Sequence, residues 1–413
     1  MAAVFRLINT IQEYAWGSRN AIPELIGESS PADKPQAELW MGAHPKAPST
    51  VLLEDGGQLP LPELVAQDPA GTLGATVAQK FSGRLPFLFK VLAAALPLSI
   101  QAHPNLEQAR EGFRRENELG IPLDAFQRNY RDTNHKPEVI SALTPFWALN
   151  GFRPIPEMLD LLHSIGFPSI SEHLDAFRRN PDSAGLKRFF AALMRLDRET
   201  REKALEEAGD WACGQLNQEQ RSGTAGGETP TTPIAHWLMR LQELYPGDIG
   251  VLSPVLLNLI LLRPGDTMFL EAGVLHAYLE GMGIELMANS DNVIRGGLTP
   301  KHMDVEELPA ILRFDGKAVQ LVEPHQTVPG ERVFRTPAEE FRLAEIRVQP
   351  DTPYTSPKIR SIELMICPDG EGAIGAVDPL PLSKGDSLMI PASAPPYTIH
   401  GRLRLFKAFV PLD

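Results

Sequence analysis

The chain has 413 residues, 43% of them hydrophobic and 22% charged, with a formal net charge of -13. This is globular composition at a length that suggests about two or three domains, and the acidic balance excludes the basic footprint of a nucleic-acid binder. An acidic chain can still hold a phosphate, but only where lysines and arginines gather locally.

The two cysteines, Cys213 and Cys367, are far apart and form no CxxC pair. No disulfide framework or thiolate zinc site is expected, and a reducing compartment fits. The N-terminal run Met1–Gly17 has no apolar core of the kind a secretion signal needs. Val255–Leu262 is too short to span a bilayer and is broken by Asn258. The expectation is a cytoplasmic monomer with no membrane and no nucleic-acid partner.

Residues 1–152 carry short apolar runs bounded by Pro and Gly, such as Pro86–Ala95 and Val139–Leu149, and these read as strands and turns. Residues 153–247 change texture. Met158, Leu161, Leu162 and Ile165 keep helical spacing, as do Leu186, Phe189, Phe190 and Leu193, and Arg198–Ala208 reads as a charged helix face. The polar stretch Gly223–Pro233 reads as a mobile loop. From residue 248 onward, strand-like runs return.

That order predicts a mainly β protein with an inserted α-helical domain. Two similar phrases sharpen it: Arg263-Pro264-Gly265-Asp266 leads into Thr267–Ala272, and Ser383-Lys384-Gly385-Asp386 into Ser387–Ala392. A Gly-Asp turn feeding a short apolar strand recurs in cupin barrels, and two copies imply two cupin, or jelly-roll, barrels. The expected division is 1–152 and 248–320 for a catalytic barrel, 153–247 for the helical insertion and 321–413 for a second barrel. Counted from each Gly-Asp, His276 corresponds to Pro396, so the second barrel is expected to be metal-free.

Four pieces of sequence could carry chemistry. In Ser99-Ile100-Gln101-Ala102-His103 the alternation of a strand puts Ser99, Gln101 and His103 on one face. Pro137 biases Lys136 toward extended backbone, so Lys136 and Glu138 share a face while His135 points the other way. A Glu opening a buried strand needs a partner, and a plain Lys–Glu surface pair would supply one. In Gly273–Tyr278 the inward residues are His276 and Tyr278. Gln101, His103, Glu138 and His276 together form a nitrogen and oxygen donor set that suits zinc or another divalent first-row metal. With one anionic ligand such a site keeps positive charge and an open position, which is Lewis-acid design.

The fourth piece runs from Gly283 to Lys301. Glu285 lies in a strand-like stretch, Asn289-Ser290-Asp291-Asn292 is turn chemistry, and Arg295 precedes a glycine pair that would let backbone approach a ligand closely. Arg295 and Lys301 are either solvated or a cationic patch for a phosphate and for charge developing on a sugar oxygen. Lys90 adds a charge to an otherwise apolar strand. Gly370–Gly375 satisfies GxGxxG, but no helix follows to hold a pyrophosphate.

Gln12–Ser18, Ala37–Gly42, Gln101–Pro104, Asn134–Glu138, Gly273–Tyr278 and Asn289–Arg295 together resemble the type I mannose-6-phosphate isomerases, in the family's order and over most of the chain before about residue 303. The resemblance implies a cytoplasmic, zinc-dependent isomerase interconverting mannose 6-phosphate and fructose 6-phosphate, with one zinc per chain. It implies Gln101, His103, Glu138 and His276 as zinc ligands and Arg295 as the catalytic arginine. Lys90, Ser99 and Lys301 match positions associated with the substrate phosphate, and Trp16 and Tyr278 are expected to line the substrate site. The proton-shuttling base stays open between Glu285 and Lys136. A metal-dependent cupin oxidoreductase and a non-enzymatic sugar-sensing cupin are the rival readings.

Overall fold

The computed structural model describes residues 4–221, 232–375 and 379–412. Most of the polar stretch read as a mobile loop, residues 223–231, lies outside them. Among the described residues the strands form two antiparallel sheets. The path of the first runs Leu257–Leu262, Phe146–Phe152, His276–Ala288, Phe87–Ala94, Glu38–Gly42 and Thr10–Gln12. The short strands Ile100–Ala102, Glu138–Ala142, Thr267–Leu270 and Ile294–Gly297 pair beside that path. The second sheet is built around Arg342–Val348, Thr398–Phe409, Glu363–Gly375 and Ser387–Ile390.

The two Gly-Asp phrases fold alike. The Arg263 amide donates to the Asp266 carboxylate at 2.8 Å, and the Ser383 amide to Asp386 at 2.8 Å. Gly265 and Gly385 take φ of 97° and 93°, in the left-handed region that glycine enters without penalty. Each turn delivers a four-residue strand to its own sheet. The GxGxxG stretch closes the long strand Glu363–Gly375 and opens no helix within the described residues.

One pairing was not visible in the sequence. Phe5–Ile8 joins the second sheet, with Phe5 opposite Met389 and Leu7 opposite Val51. The chain therefore begins in the sheet that its last hundred residues complete. Phe89, Val91, Val139 and Leu286 of the first sheet share one apolar cluster with Leu343, Leu364 and Phe406 of the second. This common core fixes the sheets against one another.

The helices Ile155–Ile165, Ser171–Arg179, Ser183–Met194, Arg198–Arg221 and Pro233–Leu244 form the insertion. Met158, Leu162, Leu186, Phe189 and Phe190 lie in one buried cluster with Leu149, Phe152 and Leu257 of the first sheet. A further helix, Leu106–Glu118, stands where only strands and turns were expected. Its start is a capping box: Asn105 Oδ1 accepts from the Gln108 amide and Gln108 Oε1 from the Asn105 amide, both at 2.9 Å. No described helix is long and apolar enough to cross a membrane.

Candidate active site

The hydrophobic strands of the first sheet bring three polar residues into its interior. His103 follows Ile100–Ala102, Glu138 opens Glu138–Ala142 and His276 opens His276–Ala288. All three are buried, and one ligand atom from each lies within 4.8 Å of the others. His103 Nε2 is 3.5 Å from Glu138 Oε1, and His276 Nε2 is 3.4 Å from Glu138 Oε2.

The other ring nitrogens are held. His103 Nδ1 lies 2.7 Å from the Asn292 carbonyl oxygen and His276 Nδ1 lies 2.9 Å from that of Val274. A carbonyl only accepts, so both Nδ1 atoms carry the proton and both Nε2 lone pairs face the Glu138 carboxylate. His103 Nε2, His276 Nε2 and Glu138 Oε2 are buried without a hydrogen-bond partner. Three orphaned acceptors aimed at one another are costly unless a cation joins them.

The electrostatics keep these groups ready to bind. Burial, reinforced by Lys136, pushes the His103 imidazole down to about 4, so it is neutral near pH 7. Burial would raise Glu138, but Lys136 and the two imidazoles outweigh it and hold the carboxyl well below its ordinary range. Lys136 Nζ lies 3.2 Å from Glu138 Oε1. Gln101 is half-buried on its short strand, opposite His276 on one side and Arg295 on the other. Its register puts the amide side chain, the imidazole and the guanidinium on adjacent strands.

A second buried polar group lies in the same sheet. Lys90 Nζ is 2.7 Å from Glu285 Oε2 and 3.0 Å from Glu38 Oε1. The Tyr278 hydroxyl donates to Glu285 Oε1 at 2.7 Å, and Trp40 Nε1 donates to Glu38 Oε2 at 2.7 Å. Burial would lower Lys90, yet Glu285 and Glu38 hold it above its ordinary value. Burial raises Glu285 despite Lys90. Lys90, expected at the phosphate, is thus engaged by two carboxylates, and both Glu285 oxygens are taken.

Residues 4–155 match the family described as phosphomannose isomerase type I, catalytic domain. The chain is 41% identical over 408 residues to the mannose-6-phosphate isomerase of Escherichia coli, spanning 98% of this chain and 99% of that one. It is 34% identical over 415 residues to the mannose-6-phosphate isomerase of Homo sapiens, spanning 94% of each. The chain belongs to the type I mannose-6-phosphate isomerase family. Among solved structures, the mannose 6-phosphate isomerase of Salmonella typhimurium bound to fructose 6-phosphate and zinc matches over 100% of both chains, with a TM-score of 0.88 at 38% identity.

On the rim, burial lowers Arg295, and Arg131 lowers it further; Lys301 is lowered by burial and then by Arg295 and Arg131. Arg131, Arg295 and Lys301 thus gather close together, none with a carboxylate partner among the described residues, and form a place for an anion. Ser99 is half-buried on the approach to Gln101. Trp16 stacks on Tyr14, with ring centroids 5.8 Å apart, and packs against the apolar cluster that contains Tyr278.

The glycines after Arg295 serve packing rather than a ligand. A Cβ on Gly297 would lie 2.7 Å from Gly250 Cα, and one on Gly296 3.1 Å from a Leu275 methyl group. The parts played by Asn292 and Arg131 were not visible in the sequence. Asn292 is fully buried; its Oδ1 accepts from the Arg131 and Asp132 amides, its Nδ2 donates to the Asp132 and Asn134 carbonyls, and its own carbonyl orients His103. Arg131 has no motif around it, and only the fold brings it to Arg295.

Proposed function

We propose that the chain is a zinc-dependent aldose-ketose isomerase that interconverts mannose 6-phosphate and fructose 6-phosphate, with one zinc per chain. The observation that carries this reading is the convergence of the unpartnered, buried atoms His103 Nε2, His276 Nε2 and Glu138 Oε2. Relatives of near-equal length bear that name. Gln101, placed between His276 and Arg295 by register, is the proposed fourth ligand. Zinc held by these residues would polarise a sugar oxygen as a Lewis acid.

In the open-chain sugar, a base takes the proton from C2 and returns it at C1, while a hydroxyl proton moves from O2 to O1 through a cis-enediol. Of the two candidate bases, Glu285 has both oxygens occupied by Lys90 and Tyr278. Lys136 lies beside Glu138 at the edge of the site and keeps 11% of its side chain exposed. The shuttle is therefore assigned to Lys136. Glu285, Lys90 and Tyr278 form the fixed polar wall behind it.

Arg295 stabilises the charge that develops on O1 or O2, where a preorganised donor counts most. Lys301, Arg131 and Ser99 grip the phosphate, and Trp16 with Tyr278 borders the carbon chain. Lys90 contributes by holding Glu285 rather than by touching substrate. Both cysteines are unpaired, which supports a cytoplasmic setting. The substrate is a small molecule, and a monomer suffices because every proposed ligand comes from one chain.

The test is a coupled assay of the zinc-loaded protein on mannose 6-phosphate, with dissolved oxygen followed in parallel. Formation of fructose 6-phosphate without oxygen uptake is expected. Oxygen consumption without that product would make the chain an oxidoreductase.

A further inference from the structure

We propose that Glu340, supplied by the second sheet's side of the molecule, is a positioning residue for Lys136 and acts through His135. The proposal rests on the assignment of Lys136 as the proton shuttle. Glu340 lies between the strands Glu331–Phe334 and Arg342–Val348. Its Oε1 is 2.7 Å from His135 Nε2, with 17% and 28% of the two side chains exposed. Glu340 Oε2 is buried without a partner, so His135 is the group to which this carboxylate is committed. Burial would raise Glu340, but His135 holds it below its ordinary range, and the contact is charge-assisted.

The local backbone turns this anchor into an aim. Pro137 keeps Lys136 extended, and neighbours on extended backbone point to opposite sides. Fixing His135 toward Glu340 therefore directs Lys136 the other way, to within 3.2 Å of Glu138. The segment is pinned on both sides of this pair. The Asn134 carbonyl accepts from Asn292 Nδ2 at 2.9 Å, and the Pro137 carbonyl accepts from the Ala288 amide at 3.1 Å. Between those pins, the His135–Glu340 bond sets how the peptide carrying Lys136 is turned. The second sheet thereby reaches the reaction without contributing a ligand.

Loss of this anchor misaligns a proton-transfer group while leaving the phosphate grip and the donor set in place. Glu340→Ala should lower kcat about tenfold to a hundredfold, the scale of a misplaced reacting group. KM and zinc content should stay within about twofold, because uniform binding is untouched. Glu340→Gln keeps an acceptor for His135 and should restore most of the rate, an effect that loss of general stability would not produce. Glu339→Ala, one residue away on an exposed pair with Lys80, is the control and should behave like the parent protein.

Lys136→Ala and the Lys136→Ala/Glu340→Ala double variant complete the cycle. If Glu340 acts through Lys136, the double variant is no slower than Lys136→Ala alone. An undiminished kcat in Glu340→Ala overturns the proposal, and so does a rate loss that tracks zinc loss or that Glu340→Gln fails to repair. A further slowing on the Lys136→Ala background, equal to that in the parent, overturns it as well. If Lys136→Ala itself turns over at full rate, the shuttle assignment fails, and this is visible separately.

Discussion

Glu363 stands in the second sheet where Glu138 stands in the first. Glu138 pairs with Met287, and Glu285 lies two residues back, opposite Ile140. Glu363 pairs with Phe409, and Lys407 lies two residues back, opposite Met365. Glu38 and Glu331 match in the same way, opposite Leu92 and Ile346. Glu285 of the first sheet has thus become Lys407 in the second. Its ammonium lies 2.5 Å from Glu331 and 3.0 Å from Glu363, and Arg360 lies 3.2 Å from Glu363. The second sheet satisfies its buried carboxylates with its own cations, whereas the first leaves Glu138 Oε2 free.

Lys407→Met should therefore cost stability and leave zinc alone. Removing one partner of a buried ion pair costs about 3–5 kcal/mol, because the remaining charge is stranded. Lys407 and its hydrogen bonds overcome burial and hold Glu331 below its ordinary range. A depressed carboxyl stabilises the parent fold above the unfolded pKa, and this is lost as pH falls through the folded value. In the variant burial dominates and Glu331 shifts upward, so the variant gains stability as pH falls. The deficit should be largest near neutrality and shrink toward about pH 4. Denaturant melts at several pH values with metal analysis check this, and zinc loss in folded variant protein would contradict it.

His276→Ala should remove a donor on which the site converges, and zinc content and turnover should fall together. The chain should remain folded, since the ring's hydrogen bond runs to the carbonyl of Val274, two residues away on the same segment. Circular dichroism with metal analysis of the dialysed protein is the check. Full zinc and full turnover in this variant would remove His276 from the site.

The convergence of His103, Glu138 and His276 was legible in the sequence because strand alternation and residue type carry it. Gln101 and Arg295 face one another on the neighbouring short strands. What stayed hidden depends on contacts between distant segments. Asn292 reads as a turn residue until loops some 160 positions apart meet at its side chain. Arg131 has no periodicity, and Lys90 shows as a buried charge without revealing which carboxylates claim it. Phe5–Ile8 is strand-like by itself, but its partner lies at the other end of the chain. The two Gly-Asp phrases pointed to a strand in each of two sheets, while the substitution of Lys407 for Glu285 needed the register of both.

Arg295 and Lys301 should separate chemistry from binding. Charge grows on a sugar oxygen only as the proton leaves, so a guanidinium there helps mainly the transition state. Arg295→Ala should reduce kcat by roughly two or more orders of magnitude, the scale for loss of one oxyanion donor. Lys301 holds a phosphate that stays unchanged throughout, and Lys301→Ala should chiefly raise KM. Zinc should be normal in both. Steady-state kinetics decide the matter, and a raised KM with intact kcat in Arg295→Ala would make Arg295 a phosphate anchor.

The most direct measurement is a zinc titration of the metal-free protein, with fructose 6-phosphate formation from mannose 6-phosphate followed at each addition. If His103, Glu138, His276 and Gln101 hold the metal the reaction needs, metal-free protein is inactive. Activity then rises in proportion to zinc and levels off at one ion per chain, and His276→Ala shows no such rise. Full turnover before any zinc is added, or a plateau reached only at two ions per chain, would contradict the account.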